Sequence, residues 1–435
     1  MELEALPPIQ QLHTLKYGLL FKRRFWPIFV ATFLGSFNDN LLRSGLVVLI
    51  AYSAGKGLLL PARPDILVTF CSVLLIVPLL FFSSLAGTFA DKYEKSLLVR
   101  LAKAAEVLIM TCACYSFATQ NIMLLMLLLF ISGTHSTFYS PVKFSILPDH
   151  MERQELVAAN GFMASGSYMA TLFGLITGGL LVDYSGNVIG ITAIAVACTG
   201  FVASLFIIPS KPAHPDSVIR FNLWHGTKEI IGYAMRDRSV MYSIFALSWF
   251  LLVGSVYMAQ FANYAEGVIH ANNEVYILFL VVFSIGIVIG SLLCDRLLKG
   301  EVSIRLMPFA GLGVSFFSYL MVFTTPAPEH AGLMDVADFL SNSRHLPLLF
   351  SMLMVAVSGG IYIVPLYAMV QAGTPAWYRS RVMAASNLSD AIFMTVAALV
   401  SALILWLGFG ILDLFLLLAT LNLLVAVFYV RKLRP

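Results

Sequence analysis

Long apolar runs follow one another along this chain and are separated by short polar stretches. Each run has about 20 residues, the length that an α-helix needs to cross the hydrocarbon core of a bilayer. Helices satisfy their backbone hydrogen bonds within lipid, so the pattern predicts twelve transmembrane helices. The predicted runs are 26–52, 65–90, 97–118, 121–142, 156–182, 188–208, 240–265, 275–298, 303–324, 346–370, 380–407 and 409–430.

The composition indicates an all-α polytopic membrane protein. Apolar residues make up 59% of the 435 positions and charged residues only 11%, whereas soluble domains carry about a quarter. The net charge of +4 is explained by basic loops and does not indicate a nucleic-acid partner. The five cysteines all fall in predicted spans, which argues against both a disulfide framework and a zinc site.

Lysine and arginine residues concentrate on one side of the predicted bundle. That side includes the stretch before the first span, the long middle loop and the end of the chain, whereas the other side offers only Lys56, Arg63 and Arg344. Cytoplasmic loops are rich in these residues, so we expect both termini and the middle loop in the cytoplasm. No short apolar core with a small-residue cleavage site precedes the first span, so we expect no cleavable signal peptide.

A polar stretch with several prolines divides the chain into two halves of six spans. The halves share landmarks at a near-constant offset, since Pro365 follows Pro141 by 224 residues and Asn387 follows Asn160 by 227. Such an offset predicts an internal duplication and two pseudo-symmetric six-helix bundles. The predicted segments are a cytoplasmic N-terminal segment at 1–25, a first bundle at 26–208, a cytoplasmic linker at 209–239 and a second bundle at 240–431.

Polar residues interrupt the first predicted span near its middle. Asp39 stands between Asn38 and Asn40, and Arg43 follows one helical turn later. An ionised side chain in lipid costs at least a few kcal/mol, so such residues face a watery or protein-lined cavity and indicate a substrate or ion site. Asp39 and Arg43 share a helix face and are placed to pair, either to close the core or to open around a zwitterion.

The third, fourth and eleventh spans carry further candidates. Lys103 is long enough to reach the membrane interface, whereas Glu106, three residues deeper, is expected to face the cavity. With the first-span pair they would supply cations for a phosphate and anions for an ammonium group. Lys143, at the basic end of the fourth span, is expected to be a structural anchor. Asn387 and Asp390 share a face of the eleventh span, and Asp390 is the leading candidate in the second half.

The loop after the second span has the form Gly-x-x-x-Asp-Lys, with Gly87, Asp91 and Lys92 in the defining positions. It resembles the cytoplasmic signature of the major facilitator superfamily (MFS), and twelve spans with a two-fold repeat favour the same family. The resemblance implies that Gly87 permits close helix contact. It also implies that Asp91 caps a neighbouring helix or pairs with an arginine, as a latch on one of two rocking states.

Four segments resemble the bacterial lysophospholipid transporter branch of this superfamily: Phe37-Asn38-Asp39-Asn40, Tyr139-Ser140-Pro141-Val142-Lys143, Ala159-Asn160-Gly161, and Gly359-Gly360 with Pro365 and Gln371. The resemblance implies an inner-membrane protein that moves lysophospholipids such as lysophosphatidylethanolamine from the outer to the inner leaflet by alternating access. A separate acyltransferase would then restore the second chain. The candidate substrate-binding residues are Asp39, Asn40, Arg43, Lys103, Glu106, Asn160, Asn387 and Asp390.

The chain departs from this branch at two places. Ala164 stands where the branch has an acid, and a Gln-Asn-x-x-Glu pattern appears as Ser386-Asn387-Leu388-Ser389-Asp390. Arg100, Lys103 and Glu106, at a spacing of three, resemble instead the membrane module of transporter–acyltransferase fusions. Head-group preference and coupling to sodium or protons therefore stay open, and no cofactor is expected.

Two other functions compete with lipid transport. A facilitator-type exporter of drugs or siderophores would use Asp39 as a proton-coupling site. A glycerolipid acyltransferase would use His330 and Asp335, which have the His-x4-Asp spacing of a histidine that activates a hydroxyl. That segment falls in a predicted external loop, away from cytoplasmic acyl donors, and no companion phosphate-binding motif follows it. The sequence also contains no P-loop, which argues against ATP-driven flipping. We therefore expect a transporter and not an enzyme.

Overall fold

The computed structural model describes residues 18–55, 63–184, 186–219, 221–326 and 332–432. Within these ranges the chain forms twelve long helices, each of which overlaps one predicted apolar run. The predicted all-α class with twelve helices is confirmed. Their bounds are Trp26–Gly55 (α1), Pro64–Lys92 (α2), Lys95–Ala118 (α3), Ile122–Ser145 (α4), Leu156–Tyr184 (α5), Gly186–Leu205 (α6), Arg238–Gly267 (α7), Asn273–Leu298 (α8), Met307–Phe323 (α9), Leu346–Gly373 (α10), Arg379–Trp406 (α11) and Ile411–Lys432 (α12).

Nine helices in the described part of the chain are long and apolar enough to cross a membrane. The other three long helices differ from them in length or in charge. Helix α9 has 17 residues, and α1 and α3 carry charged residues in their interiors. An α-helix satisfies its backbone internally, so these charges require partners for their side chains only.

Local signals at helix ends shift the boundaries away from the apolar pattern. Helix α7 begins at Arg238, two residues earlier than predicted, because the Asp237 side chain accepts hydrogen bonds from backbone N–H groups of its first turn. Helix α9 begins at Met307, four residues later than predicted, with Pro308 in its first turn. The predicted linker also contains a helix, Leu223–Ala234, which we call the linker helix.

The two halves pack their helices in the same pattern. In the first half α1 packs on α5, α2 on α4 and α3 on α6; the second half repeats these pairs as α7 on α11, α8 on α10 and α9 on α12. The halves meet where α2 contacts α11 and where α5 contacts α8. These two contacts are equivalent, because α2 corresponds to α8 and α5 corresponds to α11 in the two six-helix repeats. The arrangement has a pseudo-two-fold axis between the halves and permits them to rock.

The two ends of the bundle differ. We call the end crossed by the connection from α6 to α7 the linker side, and the opposite end the far side. Residues 380–388 of α11, near the linker side, are all buried, whereas Val396, Leu399 and Leu403 nearer the far side are exposed. The far-side end of α2 is exposed in the same way at Ile66 and Phe70. The halves are therefore held together at the linker side and splayed at the far side.

Close packing fixes α1, the helix with the central polar residues, against α5. A Cβ atom added to Gly178 of α5 would lie 2.6 Å from the carbonyl oxygen of Leu41 in α1. Only glycine permits this approach, because the neighbouring atom is backbone and cannot move aside independently. The polar residues of α1 are thus presented from a firmly packed helix.

Candidate functional site

Asp39 lies in the middle of α1 and is half-buried. Ser132 and Ser136 stand one turn apart on α4, and their hydroxyls donate hydrogen bonds to the two carboxylate oxygens at 2.7 and 2.6 Å. Among the described residues, no cation forms an ion pair with this carboxylate within 4.0 Å. Asp39 is therefore held in place by hydroxyl groups, and His135, Lys103 and Lys143 lie within electrostatic range of it without forming an ion pair.

The arrangement of Asp39 and Arg43 suggested by their spacing is not found. Arg43 donates from Nη2 to the Ser72 hydroxyl of α2 at 3.1 Å. It also lies within electrostatic range of Tyr276, which belongs to α8 in the other half. The two residues share a helix face, but serines on two neighbouring helices bind them separately. Arg43 is half-buried and, like Asp39, has no charged partner within 4.0 Å among the described residues.

Lys103 and Glu106 form an ion pair inside the first half. Lys103 Nζ lies 2.6 Å from Glu106 Oε2, and the two side chains are 0% and 3% exposed. Asn38 of α1 donates to the other Glu106 oxygen at 2.9 Å, and Lys103 Nζ lies 5.1 Å from the centre of the Tyr139 ring. The prediction that Glu106 faces a cavity is wrong for this conformation, and Lys103 does not extend to the interface, because the two charges neutralise each other in the core.

Asn40 contacts α5. Its side-chain amide donates to the carbonyl oxygen of Ser36 at 2.8 Å and to the Thr171 hydroxyl at 3.2 Å. The three consecutive polar residues of α1 thus point to α3, α4 and α5 in turn, as expected when successive helical positions are about 100° apart. Among these three residues, only Asp39 carries a charge, and that charge is unpaired.

The second half contains a separate polar group on α11. Asp390 is buried and accepts a hydrogen bond from the Ser248 hydroxyl of α7 at 2.6 Å. Asn387 lies one turn earlier and is buried, and its Nδ2 has no hydrogen-bond partner among the described residues. Asp390 is also within electrostatic range of Tyr367 on α10. These two predicted site residues therefore lie together, in the half opposite Asp39.

An aromatic pair closes the space between the halves on the linker side of these carboxylates. Phe144 of α4 stacks on Tyr367 of α10 with ring centres 4.4 Å apart. The preceding residue, Lys143, is half-buried, and its Nζ lies 4.9 Å from the Phe144 ring centre. Lys143 forms no ion pair within 4.0 Å in the described part of the chain, and Asp39 lies within electrostatic range of it.

Lys143, for which the sequence predicts a structural anchor, lies beside an aromatic ring and forms no ion pair within 4.0 Å among the described residues. Because no acid lies within 4.0 Å of its amine in the described part of the chain, Lys143 is available to an anion from outside the chain. The sequence contained one indication that Lys143 could have a functional role, because this residue ends the Tyr-Ser-Pro-x-Lys segment that carries one of the family resemblances. What the sequence did not reveal is that the helix places this lysine beside the contact between Phe144 and Tyr367.

Asp91 joins the halves at the linker side. Its carboxylate accepts hydrogen bonds from the backbone N–H groups of Ser380 and Arg381 at 2.9 and 3.2 Å, and so caps the positive N-terminal end of α11. Arg381 Nε also lies 3.6 Å from the same carboxylate. The capping and arginine contacts expected of Asp91 are thus both present. Lys92 instead lies beside Tyr93, with Nζ 6.0 Å from that ring centre.

Further contacts extend this junction. Asp149 binds Lys95 at 2.6 Å within the first half and Arg379 of α11 at 3.3 Å. Asn160 of α5 and Gln371 of α10 exchange two amide hydrogen bonds at 2.7 and 2.9 Å. Asn160 was predicted as a substrate contact, but the structure places it between the halves. We call these contacts the gate, formed by Gly87, Asp91, Asp149, Asn160, Gln371, Arg379, Ser380 and Arg381.

Gly87 allows α2 and α11 to approach closely in the gate, so a larger residue at this position tests whether the gate depends on that approach. A Cβ atom at this position would lie 2.7 Å from Ala384 Cβ and 2.9 Å from Arg381 Cα. We expect Gly87→Ala to separate α2 from α11 and to lengthen the distance between the halves at the linker side. Pulsed electron paramagnetic resonance measures this with spin labels at the exposed Leu97 and Leu297, after replacement of the five native cysteines.

The matched control for this substitution is Gly254→Ala in α7, where an added Cβ would have no neighbour within 4 Å. Both substitutions change a helical glycine to alanine, so a shared effect on helix propensity cancels between them. A distance distribution that is the same for Gly87→Ala and Gly254→Ala would contradict the assignment of Gly87 to the gate.

An apolar groove of about 670 Å³ lies between α2, α3 and α4. Exposed leucines at its rim, Leu101 and Leu108, indicate that it opens on the outer face of the first half. His135 and Tyr139 also line it, and the His135 ring bonds through Nε2 to the carbonyl oxygen of Ala102 at 2.9 Å. His135 is also within electrostatic range of Asp39, so the groove approaches the Asp39 carboxylate from the outer face of the first half.

The acyltransferase motif receives no support from the described part of its loop. Asp335 accepts a hydrogen bond from the Asp338 N–H at 2.8 Å and so caps the short helix Val336–Ser341. His330 lies outside the described residues. Capping accounts for the carboxylate at position 335 without any catalytic role.

Two six-helix bundles related by a pseudo-two-fold axis and joined by close contacts at one end are the architecture of a membrane transporter. The chain belongs to the Major Facilitator Superfamily, whose family model matches residues 28–341. The resemblance of its signature loop to this superfamily is thereby confirmed.

Curated relatives named "Lysophospholipid transporter LplT" are similar to most of the chain. The protein of Enterobacter sp. (strain 638) is 26% identical over 353 residues, which cover 78% of each chain. That of Klebsiella pneumoniae (strain 342) is 25% identical over 361 residues, which cover 81% of each. The similarity to the lysophospholipid transporter branch that the four motifs indicate is confirmed at this level.

Solved structures of transporters share the fold. FucP, crystallised in an outward conformation, superimposes with a TM-score of 0.64 at 12% identity, covering 93% of this chain and 99% of that one. A bacterial homologue of the iron transporter ferroportin, in an outward-facing state, gives 0.65 at 14% identity and covers 92% and 97%. At these identities the comparison shows the fold alone.

Proposed function

We propose that this protein transports lysophospholipids, such as lysophosphatidylethanolamine, from the outer to the inner leaflet of the bacterial inner membrane. The observation that carries the proposal is that Asp39 and Lys143 lie within electrostatic range of each other while neither forms an ion pair within 4.0 Å among the described residues. The head group of lysophosphatidylethanolamine carries both complementary charges, a phosphate and an ammonium group. Relatives named lysophospholipid transporters support the same substrate class.

The distribution of basic residues supports an orientation. Lysines and arginines gather at the linker side, in the gate, the linker and the ends of the chain, and cytoplasmic surfaces are the basic ones. The linker side and both termini then lie in the cytoplasm. In this orientation the gate closes the protein toward the cytoplasm, and the splayed far side faces outward. The structure is thus the state that would accept a lipid from the outer leaflet.

The binding mode follows from the charges. Lys143 and Arg43 would hold the phosphate, and Asp39 would hold the ammonium group while Ser132 and Ser136 keep its carboxylate oriented. A charge-assisted hydrogen bond is worth about 1.5–3 kcal/mol. A lipid with one acyl chain suits such a site, because the polar head crosses between the halves while a single apolar tail stays against apolar helix surfaces.

Alternating access would carry the head group to the other leaflet. Opening the gate requires the Asp91 cap on α11 and the pairing of Asn160 with Gln371 to break, and rocking of the halves would then close the far side. Asp39 is also where a sodium ion or a proton would act if transport is coupled. Reacylation in the inner leaflet would fall to a separate acyltransferase.

Asp39→Asn tests the proposal while keeping the shape of the side chain. We expect uptake of labelled lysophosphatidylethanolamine into proteoliposomes to fall at least about tenfold, because the neutral amide loses one charge-assisted contact with the ammonium group. The control is Asp413→Asn, an exposed carboxylate that binds only the nearby Gly410 N–H in the described structure. Undiminished uptake by Asp39→Asn would contradict the binding mode.

The same assay separates the lipid transporter from the exporter. Asp39 forms no ion pair within 4.0 Å in the described part of the chain, which also fits a proton-coupling site in a facilitator-type exporter of drugs or siderophores. If the wild type moves a small hydrophilic substrate in a proton-dependent way and takes up no lysophospholipid, the lipid proposal is wrong and the exporter is favoured. Uptake of lysophospholipid by the wild type excludes that outcome.

A further inference from the structure

The linker helix exposes an apolar stripe. Phe221 and Trp224 are 79% and 84% exposed, and Ile231 and Met235 are exposed as well. Trp224, Lys228, Ile231 and the C-cap residue Met235 follow one another in steps of four, three and four residues and so lie on one face, and Phe221 lies just before the helix. Two large aromatic side chains in such a stripe would be unfavourable in water and indicate a covering partner.

The opposite face of the linker helix packs against the bundle. Ile230 and Ala234 are buried, and the helix contacts both α2 and α11, the two helices that meet in the gate. Gly226 lies against the Ser84 hydroxyl, and Ser84 precedes the end of α2 by eight residues. At 1.5 Å per residue this contact is about 12 Å inside the linker-side end of α2. Ser84 belongs to the predicted apolar run 65–90, so the start of the linker helix lies alongside a predicted membrane-spanning segment.

The charges next to the stripe favour an anionic lipid surface as its partner. Lys228 lies within the stripe, and Arg236 and Arg238 follow it, all exposed. Of the two nearby acids, Glu229 binds Arg381 and Asp237 caps α7. Helices with basic and aromatic residues placed in this way lie in the membrane interface and are attracted to anionic lipids.

The linker helix is also bonded to the gate. Arg381 donates from Nη1 to the Glu229 carboxylate at 3.0 Å and to the Tyr233 hydroxyl at 3.2 Å. The backbone N–H of the same arginine is bound by Asp91 across the junction of the halves. The position of the linker helix is thus coupled, through Arg381, to the contact between α2 and α11.

We propose that the linker helix binds the lipid surface on the linker side of the membrane and, when bound, stabilises the closed gate. Phe221, Trp224, Ile231 and Met235 enter the acyl boundary, and Lys228 contacts anionic head groups. Glu229 and Tyr233 then hold Arg381 in its position at the gate. The proposal concerns the membrane as a partner and is independent of which substrate is transported.

Fluorescence quenching tests the first part with the full chain reconstituted in vesicles of phosphatidylethanolamine and phosphatidylglycerol. The emission of Trp224 is the difference between wild type and Trp224→Phe. We expect lipids with bromine near the head of the acyl chain to quench this difference signal and aqueous iodide to leave it unchanged. The control is Trp249, which is half-buried and donates to Asn422, and whose difference signal neither agent should quench. Quenching of Trp224 by iodide instead would place the stripe in water, available to a protein partner, and would overturn the proposal.

Distance measurements test the second part. With spin labels at Leu97 and Leu297, Trp224→Glu in the same vesicles should lengthen the linker-side distance, since the helix can no longer hold Arg381. Phe409→Glu, at an exposed position near the far side, is the control and should leave the distance unchanged. An unchanged distance for Trp224→Glu would overturn the coupling to the gate. Unchanged melting temperatures for both variants would exclude misfolding as the cause of any change.

Discussion

Replacing Lys143 with methionine is expected to lower the uptake of lysophosphatidylethanolamine by about 10- to 100-fold, as the loss of a charge-assisted hydrogen bond of roughly 1.5–3 kcal/mol predicts. Methionine keeps the length and the apolar stem of the side chain. The cation that it removes is half-buried and has no acidic partner within 4.0 Å among the described residues. Its loss therefore breaks no ion pair of the protein, and a fall in uptake would report contact with the substrate.

The control substitution for Lys143→Met is Lys432→Met. Lys432 also lies over an aromatic ring, with Nζ 5.6 Å from the Tyr242 ring centre, but it belongs to the end of α12. Uptake by Lys432→Met should equal that of the wild type, and Lys143→Arg should restore part of the activity. The binding of a monoacylglycerol, which has the same tail and no phosphate, should be unchanged by Lys143→Met. Equal weakening of both ligands would contradict a phosphate contact.

The apolar pattern predicted the helices well because the hydrocarbon core of the bilayer itself requires each spanning helix to be apolar. Each span must be mostly apolar over about 20 residues, and tertiary contacts are needed only for the few polar side chains inside it, as in α1 and α3. The gate was partly predictable for a similar reason. The motif places a glycine four residues before an aspartate at a helix end and implied a close helix approach and a helix cap. Gly87 and Asp91 make these two contacts.

Partner choice inside the bundle was not predictable from spacing. Asp39 and Arg43 share a helix face, yet each binds serines from another helix, and these serines are far away in the sequence. Lys103 was long enough to reach the interface, but the acid three residues away satisfies it within the core. Asn160 matched a transporter motif, and its amide partner, Gln371, lies in the other half. In each case the partner of the polar side chain depends on how the helices pack, and a single sequence does not contain that information directly.

Removing one member of the Lys103–Glu106 pair is expected to destabilise the protein by about 3–5 kcal/mol. In Lys103→Met, Glu106 would remain buried with Asn38 as a hydrogen-bond donor and without a cation in the described core. The double variant Lys103→Met with Glu106→Leu should recover much of this loss, because it removes both charges and retains apolar volume. Reversible unfolding in mixed micelles gives the free energies, and a double-mutant cycle gives the coupling between the residues.

The cycle also decides whether this pair belongs to the core or to the substrate site, since both residues were candidates for head-group binding. Lys22→Met is the control, because Lys22 pairs with Glu155 at a part-exposed position where Arg24 also binds that acid, so we expect a loss of at most about 1 kcal/mol. A core pair predicts that the double variant regains both stability and transport. If Lys103→Met and Glu106→Leu abolish transport singly and together while stability is unchanged, the pair acts on the substrate. The structural assignment would then be wrong, and a second conformation in which Lys103 and Glu106 reach the space between the halves would be required.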